Sequence, residues 1–216
     1  MYADREKINK ADYEQLYTAL LPRRQNMLTL LQQALSSGLI SATSGNLSCF
    51  CREQGVMVIT PTALRYENMQ ADDMVMLRTD GTILGGCRAP SSEWRMHAAI
   101  YEGREDVNAI FHTHSPYATA FAVNRSSIPA ALIEAHLFLG GDIRCAAYAT
   151  PGTRALGEKA LLALENRGGC TLANHGVLAI AADAQQALLR AEYIEDMARI
   201  YAIAKSIGQP VELSAL

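Results

Sequence analysis

The chain has 216 residues, of which 50% are hydrophobic and 19% charged, and this profile is typical of a globular protein long enough to bury a core as one domain. Its net charge is −3, which argues against nucleic acid and anionic membrane surfaces as partners, because both are bound through a concentrated basic face. The charged N-terminus lacks an apolar signal core, no apolar run reaches the roughly 18 residues that span a bilayer, and the five scattered cysteines suit free thiols. We therefore expect a single domain over residues 1–216, located in the cytoplasm.

The first third of the chain predicts two helices followed by short strands. Apolar residues recur at helical spacing over residues 11–39, where Pro22 predicts a break into two helices and Gly38 predicts the end of the second. The segments NLSCF and VMVIT flank a polar turn and predict a β-hairpin. The segment MVMLRTDGTIL predicts another pair of strands around its Asp-Gly turn.

Further helices and strands alternate along the rest of the chain. SSEWRMHAAIYEG predicts a helix capped by Ser91 or Ser92, VNAIFHTH predicts a strand, and SPYATAFAVN predicts a helix that begins at Pro116. TRALGEKALLALENRG predicts an amphipathic helix, and CTLANHGVLAIA predicts two strands. Asp183 is the expected cap of the last helix, which Gly208 ends. Early hairpins with helices around them favour an α/β sandwich on a mainly antiparallel sheet.

The two histidines of the stretch IFHTHSPYA are the strongest functional signal. Successive side chains of a strand point to opposite faces, so His112 and His114 are expected on the same face. A third histidine, His175, lies where the two later strands are broken, and Gly176 after it is expected to allow a tight turn. Three imidazoles suit zinc and leave one coordination position open, as in catalytic zinc sites. The plainer interpretation of the pair is two partly exposed strand histidines.

A carboxylate and several hydroxyl-rich turns form a second group of polar residues. Glu93 falls near the start of a predicted helix, where a carboxylate ordinarily stabilises the helix dipole. Free backbone N–H groups at that helix start, together with the hydroxyls of Ser91 and Ser92, also suit an anion. The segments ATSGNLS and ITPTALRY place comparable hydroxyls beside strand ends. Three such turns predict a pocket that binds phosphate.

Five separated motifs carry a resemblance to a known family. SGNLS, ITPT, PSSEW, HTHSPYA and ANHGVL occur in the order and spacing of the class II aldolase/adducin-head family, from about residue 25 to residue 210, and CAAYATPGTRAL matches as well. Within that family the chain resembles the aldolases that act on fuculose-type and deoxyribulose-type sugar phosphates. The resemblance implies one class II aldolase-like domain, a three-layer α/β/α sandwich around a central, mainly antiparallel sheet. It also implies a Zn²⁺ cofactor and a homotetramer with active sites at subunit interfaces.

The resemblance also assigns roles to individual residues. The zinc ligands match His112, His114 and His175. The catalytic carboxylate matches Glu93. The positions that hold the substrate phosphate match Gly45, Asn46, Thr62, Ser91 and Ser92. The implied reaction is reversible cleavage of a ketose 1-phosphate into dihydroxyacetone phosphate and a short aldehyde, with the metal stabilising the enediolate charge and Glu93 moving a proton.

Two departures from the family pattern leave alternatives open. Ile133 occupies the place of a tyrosine that protonates the departing aldehyde, and we expect the neighbouring Glu134, helped by His136, to replace it; otherwise Glu134 is a solvated or interface residue. The family's methylthioribulose-1-phosphate dehydratases use a glutamate near this place. A dehydratase, or another sugar-phosphate lyase or epimerase on the same zinc site, is therefore the alternative function. Ala63 stands where the family usually has glycine, which is expected to narrow the phosphate loop.

Overall fold

A central eight-stranded sheet organises the molecule. The structure, a computed structural model, describes residues 10–214. The strands are β1 (Asn46–Cys51), β2 (Val56–Ile59), β3 (Val75–Leu77), β4 (Ile83–Gly85), β5 (Ala109–Thr113), β6 (Cys145–Ala146), β7 (Gly169–Leu172) and β8 (Gly176–Ala181). Their order across the sheet is β4-β3-β2-β1-β5-β8-β7-β6. Neighbouring strands are antiparallel except β6 and β7, which are parallel.

Helices cover both faces of this sheet. They are α1 (Lys10–Ala19), α2 (Leu21–Ser36), α3 (Trp94–Gly103), α4 (Pro116–Val123), α5 (Arg154–Leu164) and α6 (Ala184–Ile207). Apolar residues of α2, α4 and α6 share one buried cluster with the sheet, whereas those of α3 and α5 share the other. The predicted α/β sandwich around a mainly antiparallel sheet is confirmed. Within residues 10–214, none of the helices has the length and apolar character needed to span a bilayer.

The side chains of β5 point alternately to the two faces of the sheet. Ala109 and Phe111 pack into the cluster under α2 and α6, whereas Ile110 packs into the cluster under α3 and α5. Because side chains alternate along a strand, His112 lies on the same side as Ile110. The expected hairpins, the break near Pro22 and the helix start at Pro116 are all present. Asp183 caps α6 as predicted, by accepting a hydrogen bond from the Gln186 N–H at 2.8 Å.

The predicted cap of α3 was wrong. Glu93, not Ser91 or Ser92, is the N-cap residue, and its side chain makes no capping hydrogen bond. The reason is that Ser91 belongs to the preceding turn: its N–H donates to the Thr60 carbonyl at 2.9 Å, and its own carbonyl accepts from the Trp94 N–H at 3.1 Å. The helix can therefore begin only after this turn, and the Glu93 side chain is left free to face the sheet.

Candidate active site

The three predicted histidines converge at one edge of the β5–β8 strand pair. His112 lies in the buried strand β5, His114 directly follows that strand, and His175 lies in the turn before β8. The Nε2 atoms of His112 and His114 are 3.0 Å apart, and the ring centroids of the three histidines lie 4.8–5.1 Å from each other. One nitrogen from each ring lies within 4.8 Å of the other two. This spacing suits three ligands of one divalent cation.

Hydrogen bonding and burial hold the cluster in the state that a metal ligand needs. His112 Nδ1 lies 2.8 Å from the Val177 carbonyl. A carbonyl can only accept, so Nδ1 carries the proton and the lone pair is left on Nε2, which faces the cluster. Loss of hydration, followed by repulsion from the neighbouring imidazoles, lowers the pKa of His114 to about 4 and also lowers the pKa of His175. These two rings are therefore neutral at pH 7.

Glu93 lies against the histidines. Its Oε2 is 3.0 Å from His112 Nε2, its Oε1 is 3.4 Å from His175 Nε2, and the Asn46 amide donates to Oε2 at 3.2 Å. Burial alone would raise the pKa of Glu93, but attraction to the protonated forms of the adjacent His112 and His175, together with a hydrogen bond from His112, lowers it well below its ordinary value. An anionic carboxylate beside imidazole nitrogens completes a donor set that suits a divalent metal ion. In addition, Glu93 Oε1 is buried and makes no hydrogen bond to any described residue, as expected of an atom that faces a cation.

Gly176 is required by the cluster, but for a different reason from the one predicted. The left-handed residue of the β7–β8 turn is Asn174, with φ 56°. At Gly176 a Cβ atom would lie 2.5 Å from the Thr113 carbonyl oxygen, 2.9 Å from His114 Cδ2 and 3.1 Å from His112 Cε1. The glycine therefore provides space for the two histidine rings rather than freedom for a tight turn.

A cleft of about 220 Å³ opens beside the histidines. Its lining includes all five positions predicted to hold phosphate, namely Gly45, Asn46, Thr62, Ser91 and Ser92. It also includes the side chains of Glu93, His114 and His175. Neither lysine nor arginine occurs in this lining, so an anion here would be held by hydroxyl, amide and backbone N–H donors.

Backbone contacts bring the hydroxyl-rich turns together. The Thr62 N–H donates to the Ala89 carbonyl at 3.1 Å, which joins the turn after β2 to the turn before α3. Gly45 has φ +83°, and a Cβ there would lie 2.5 Å from the His112 carbonyl oxygen, so only glycine allows this turn to lie against β5. Ala63 lines the same cleft with φ 57°. This left-handed conformation favours glycine, so the alanine at this position is strained.

Glu134 and His136 lie outside this cleft. Glu134 is half-buried and precedes a π-helical turn formed by Ala135–Leu139. Neither it nor His136 is among the residues that line the cleft. The proposed replacement of the missing tyrosine by Glu134 therefore stays a prediction that requires a neighbouring subunit.

Sequence reasoning missed a buried polar group behind the cleft. Ser48, His97 and Tyr101 are fully buried and linked by hydrogen bonds of 2.6 and 2.7 Å. The available signal was the spacing of Glu93 and His97, since residues four apart on a helix share one face.

A second, larger cleft of about 600 Å³ lies elsewhere, between α2 and the β1–β2 turn. None of the clustered histidines lines it. Its Arg52 donates to the main-chain carbonyls of Arg104 and Val107 at 2.7 Å, and its Arg23 donates to the Phe50 carbonyl at 3.3 Å. These two arginines are bound to main-chain carbonyl groups. Glu93, His114 and His175 line the smaller cleft, which is therefore the candidate active site.

Comparison with known proteins agrees with the geometry. Residues 25–202 match the family described as Class II Aldolase and Adducin N-terminal domain. A 5-deoxy-D-ribulose 1-phosphate aldolase of Bacillus thuringiensis serovar kurstaki is 42% identical over 193 residues, 88% of this chain and 89% of the relative. An L-fuculose phosphate aldolase of Escherichia coli is 40% identical over 174 residues, 81% of this chain and 80% of the relative. A solved structure of an L-fuculose 1-phosphate aldolase matches with a TM-score of 0.85 at 39% identity, covering 88% of this chain and 90% of its own. The chain therefore belongs to the class II aldolase and adducin N-terminal domain family, as its motifs predict.

Proposed function

We propose that this protein is a zinc-dependent aldolase that cleaves a ketose 1-phosphate into dihydroxyacetone phosphate and a short aldehyde. The observation that carries the proposal is the convergence of His112, His114 and His175 beside the Glu93 carboxylate, at the edge of a cleft lined by hydroxyls. Its two aldolase relatives are named for a 5-deoxyribulose 1-phosphate and a fuculose phosphate. This is the substrate class we assign to the chain.

The three histidines would hold the metal, and zinc suits three nitrogen ligands best. When bound, zinc supplies Lewis-acid stabilisation of the negative charge that develops on the substrate oxygens. The protein contributes ring orientation through the hydrogen bond from His112 Nδ1 to the Val177 carbonyl. It also contributes the space at Gly176 that lets the rings approach one another.

Glu93 is assigned the proton transfer at the reacting carbon. Breaking the carbon–carbon bond leaves its electron pair on the carbon next to the ketone, and that carbon must receive a proton to become dihydroxyacetone phosphate. The hydroxyl on the other carbon loses its proton and becomes the aldehyde carbonyl, so the numbers of protons lost and gained are equal. In the reverse direction the proton on the carbon next to the ketone is removed by a base. A carboxylate that is charged at pH 7 and lies 3.0 Å from His112 Nε2 is placed to do both. The Asn46 amide orients its Oε2 by a hydrogen bond.

The phosphate is assigned to the hydroxyl-rich turns. Gly45, Asn46, Thr62, Ser91 and Ser92 line one cleft, and the N-terminus of the ten-residue helix α3 lies beside it. Backbone N–H groups at a helix start and neutral hydroxyl donors bind phosphate without a cationic side chain. Binding the phosphate there fixes the distance from the phosphate to the carbon–carbon bond that is cleaved, which places the reacting end at the histidines.

We also propose that the protein is a homotetramer and that Glu134 acts on the aldehyde end of the substrate from a neighbouring subunit. Exposed apolar side chains lie close to Glu134 in the sequence: Ile133 is 48% exposed, Leu137 60% and Phe138 39%. Such a concentration of apolar surface is characteristic of subunit interfaces. Glu134→Gln should then lower turnover without changing zinc content. Normal turnover by that variant would exclude the role.

Product analysis tests the reaction type. The purified protein is incubated with a panel of ketose 1-phosphates, and released dihydroxyacetone phosphate is measured by coupled oxidation of a reduced nicotinamide, with products identified by mass spectrometry. An aldolase releases dihydroxyacetone phosphate and an aldehyde, whereas a dehydratase gives a single product that has lost water, and an epimerase gives a product of unchanged mass. Loss of water or unchanged mass would refute the aldolase assignment.

Single histidine variants test the metal site independently of turnover. His112→Ala, His114→Ala and His175→Ala should each lose bound zinc, as measured by elemental analysis. His136→Ala is the matched control because it removes a histidine outside the cluster, and it should keep its zinc. Equal zinc content in all four variants would show that the cluster does not hold the metal.

A further inference from the structure

Strand β1 and helix α3 touch at regularly spaced polar and aromatic positions. Every second residue of β1 contacts every fourth residue of α3. The contacting pairs are Asn46 with Glu93, Ser48 with His97, and Phe50 with Tyr101. Two residues of a strand span about 6.6 Å, and four residues of a helix span about 6 Å. Because these two distances are similar, each of the three residues of β1 lies beside its partner residue at the start of or within α3. The pair at the end of the series includes Glu93, the carboxylate of the active site.

The middle of this series is a buried group of three side chains linked by two hydrogen bonds. Ser48 Oγ lies 2.7 Å from His97 Nδ1 and 2.6 Å from the Tyr101 hydroxyl. All three residues are at most 1% exposed. Burial lowers the pKa of His97 to about 3, so its ring is neutral at pH 7 and carries one proton.

The direction of these hydrogen bonds follows from counting donors. If Tyr101 donates to Ser48 and Ser48 donates to His97 Nδ1, both hydroxyl protons are bonded, and the His97 Nε2 proton is the single group of the three side chains left without a partner among the described residues. If His97 Nδ1 donated instead, the chain would run in the opposite direction. The Tyr101 proton and the His97 Nε2 lone pair would then both be buried without partners, which costs more. The first arrangement is therefore favoured.

The three hydrogen-bonded side chains are coupled to the active site through His97. The charge of Glu93 raises the pKa of His97 and the proximity of His112 lowers it, although burial has the larger effect. Among the described residues, neither His97 Nε2 nor Glu93 Oε1 has a hydrogen-bond partner. The two side chains stand one helical turn apart on the same helix.

We propose that the Ser48–His97–Tyr101 chain is a positioning device that fixes helix α3 along strand β1 and so holds the Glu93 carboxylate between His112 and His175. Apolar contacts between a helix and a sheet tolerate sliding, whereas buried hydrogen bonds are directional and are satisfied in one arrangement only. This inference rests on the catalytic role proposed for Glu93. Ser48, His97 and Tyr101 act through Glu93 and do not touch the substrate.

Removal of single hydroxyls tests the proposal with little disturbance of packing. Tyr101→Phe keeps the ring stacked on Phe50, and Ser48→Ala removes the central hydroxyl. In each variant we expect kcat to fall by on the order of 10- to 100-fold, because misplacement of a reacting group by ~1 Å has this effect. We expect KM to stay unchanged, because the phosphate cleft is untouched. The double variant should lose little more than either single one, since both changes break the same chain.

Two controls separate positioning from general loss of stability. Ile100→Val trims a buried residue of the same helix without removing a hydrogen bond, so it should lower the melting temperature without lowering kcat. Thr171→Val removes a buried hydroxyl of β7 that has no hydrogen-bond partner within residues 10–214, so kcat should again be unchanged. If Ile100→Val lowered kcat as much as Tyr101→Phe at the same melting temperature, the positioning role would be excluded.

A readout without activity makes the inference independent of the proposed reaction. In a crystal structure of Tyr101→Phe we expect the Glu93 carboxylate to move away from His112 Nε2 by about 0.5 Å or more, the tolerance of a working site. An unmoved carboxylate together with an unchanged kcat would overturn the proposal. If the natural chain releases no dihydroxyacetone phosphate, the proposed reaction fails, and the crystal structure still decides whether this chain of hydrogen bonds positions Glu93.

Discussion

Substitution of Gly176 by alanine should displace His112 and His114 from their metal position. The added Cβ would lie 2.5 Å from the Thr113 carbonyl oxygen, 2.9 Å from His114 Cδ2 and 3.1 Å from His112 Cε1. Ordinary contacts of these kinds lie at about 3.3–4.0 Å. The Thr113 carbonyl must therefore move by roughly 0.8 Å or more, and the two rings by a few tenths of an ångström to about 0.5 Å, to accept the methyl group. Overpacking of this kind destabilises a protein by about 1–3 kcal/mol.

The expected consequence is a loss of zinc affinity that exceeds the loss of stability. Changes that misorient metal-bound histidines reduce metal affinity by about 10- to 100-fold, and we expect at least this for Gly176→Ala. Gly169→Ala is the matched control on the adjacent strand β7. Its Cβ would lie 2.7 Å from the Leu178 carbonyl oxygen and 2.4 Å from Ile194 Cδ1. It therefore introduces a comparable clash without touching a histidine.

Zinc affinity is measured by competition with a chromogenic chelator, and stability by urea unfolding of both variants in the metal-free state. We expect similar losses of unfolding free energy in the two variants and weaker zinc binding in Gly176→Ala alone. Equal zinc affinity of Gly176→Ala and Gly169→Ala would refute the argument that the cluster depends on the missing side chain.

Single contacts elsewhere in the chain give further expectations. Glu93→Gln keeps the shape of the side chain and removes its charge, so zinc should remain bound while turnover is lost; unchanged turnover would exclude the proton-transfer role. Thr62→Val removes a hydroxyl from the cleft, so steady-state kinetics should show a higher KM for a phosphorylated ketose but not for its phosphate-free analogue. Asp183→Ala removes the hydrogen bond to the Gln186 N–H, which should cost about 1 kcal/mol in urea unfolding. Burial lowers the pKa of His97 from 6.5 to about 3. Between these pH values the unfolded chain binds a proton that the folded chain does not, so the unfolding free energy should decrease as the pH is lowered, and less so in His97→Asn.

Local periodicity explains why much of the fold and the histidine cluster could be predicted. The alternation of a strand puts His112 and His114 on one face whatever the partner strands are. The turn and cap signals at Pro22, Pro116 and Asp183 affect only the backbone of the few neighbouring residues, so they do not depend on tertiary contacts.

The relations that sequence could not supply are those set by strand pairing. Asn46 lies directly opposite His112 in the β1–β5 ladder, and this register brings the Asn46 amide to the Glu93 carboxylate. Nothing near Asn46 in the sequence indicates that partner. The start of α3 was misplaced for the same reason, because the backbone hydrogen bond from Ser91 to Thr60 joins segments that are far apart in the chain.

The central claim is that three histidines hold a zinc ion that the reaction requires. Its most direct test is to remove metal with a chelator, measure zinc by elemental analysis and dihydroxyacetone phosphate release by kinetics, and then add zinc back. We expect a single zinc ion per chain, loss of turnover in step with loss of zinc, and recovery when zinc is restored. A metal-free preparation that turns over as fast as the zinc-loaded protein would contradict the claim.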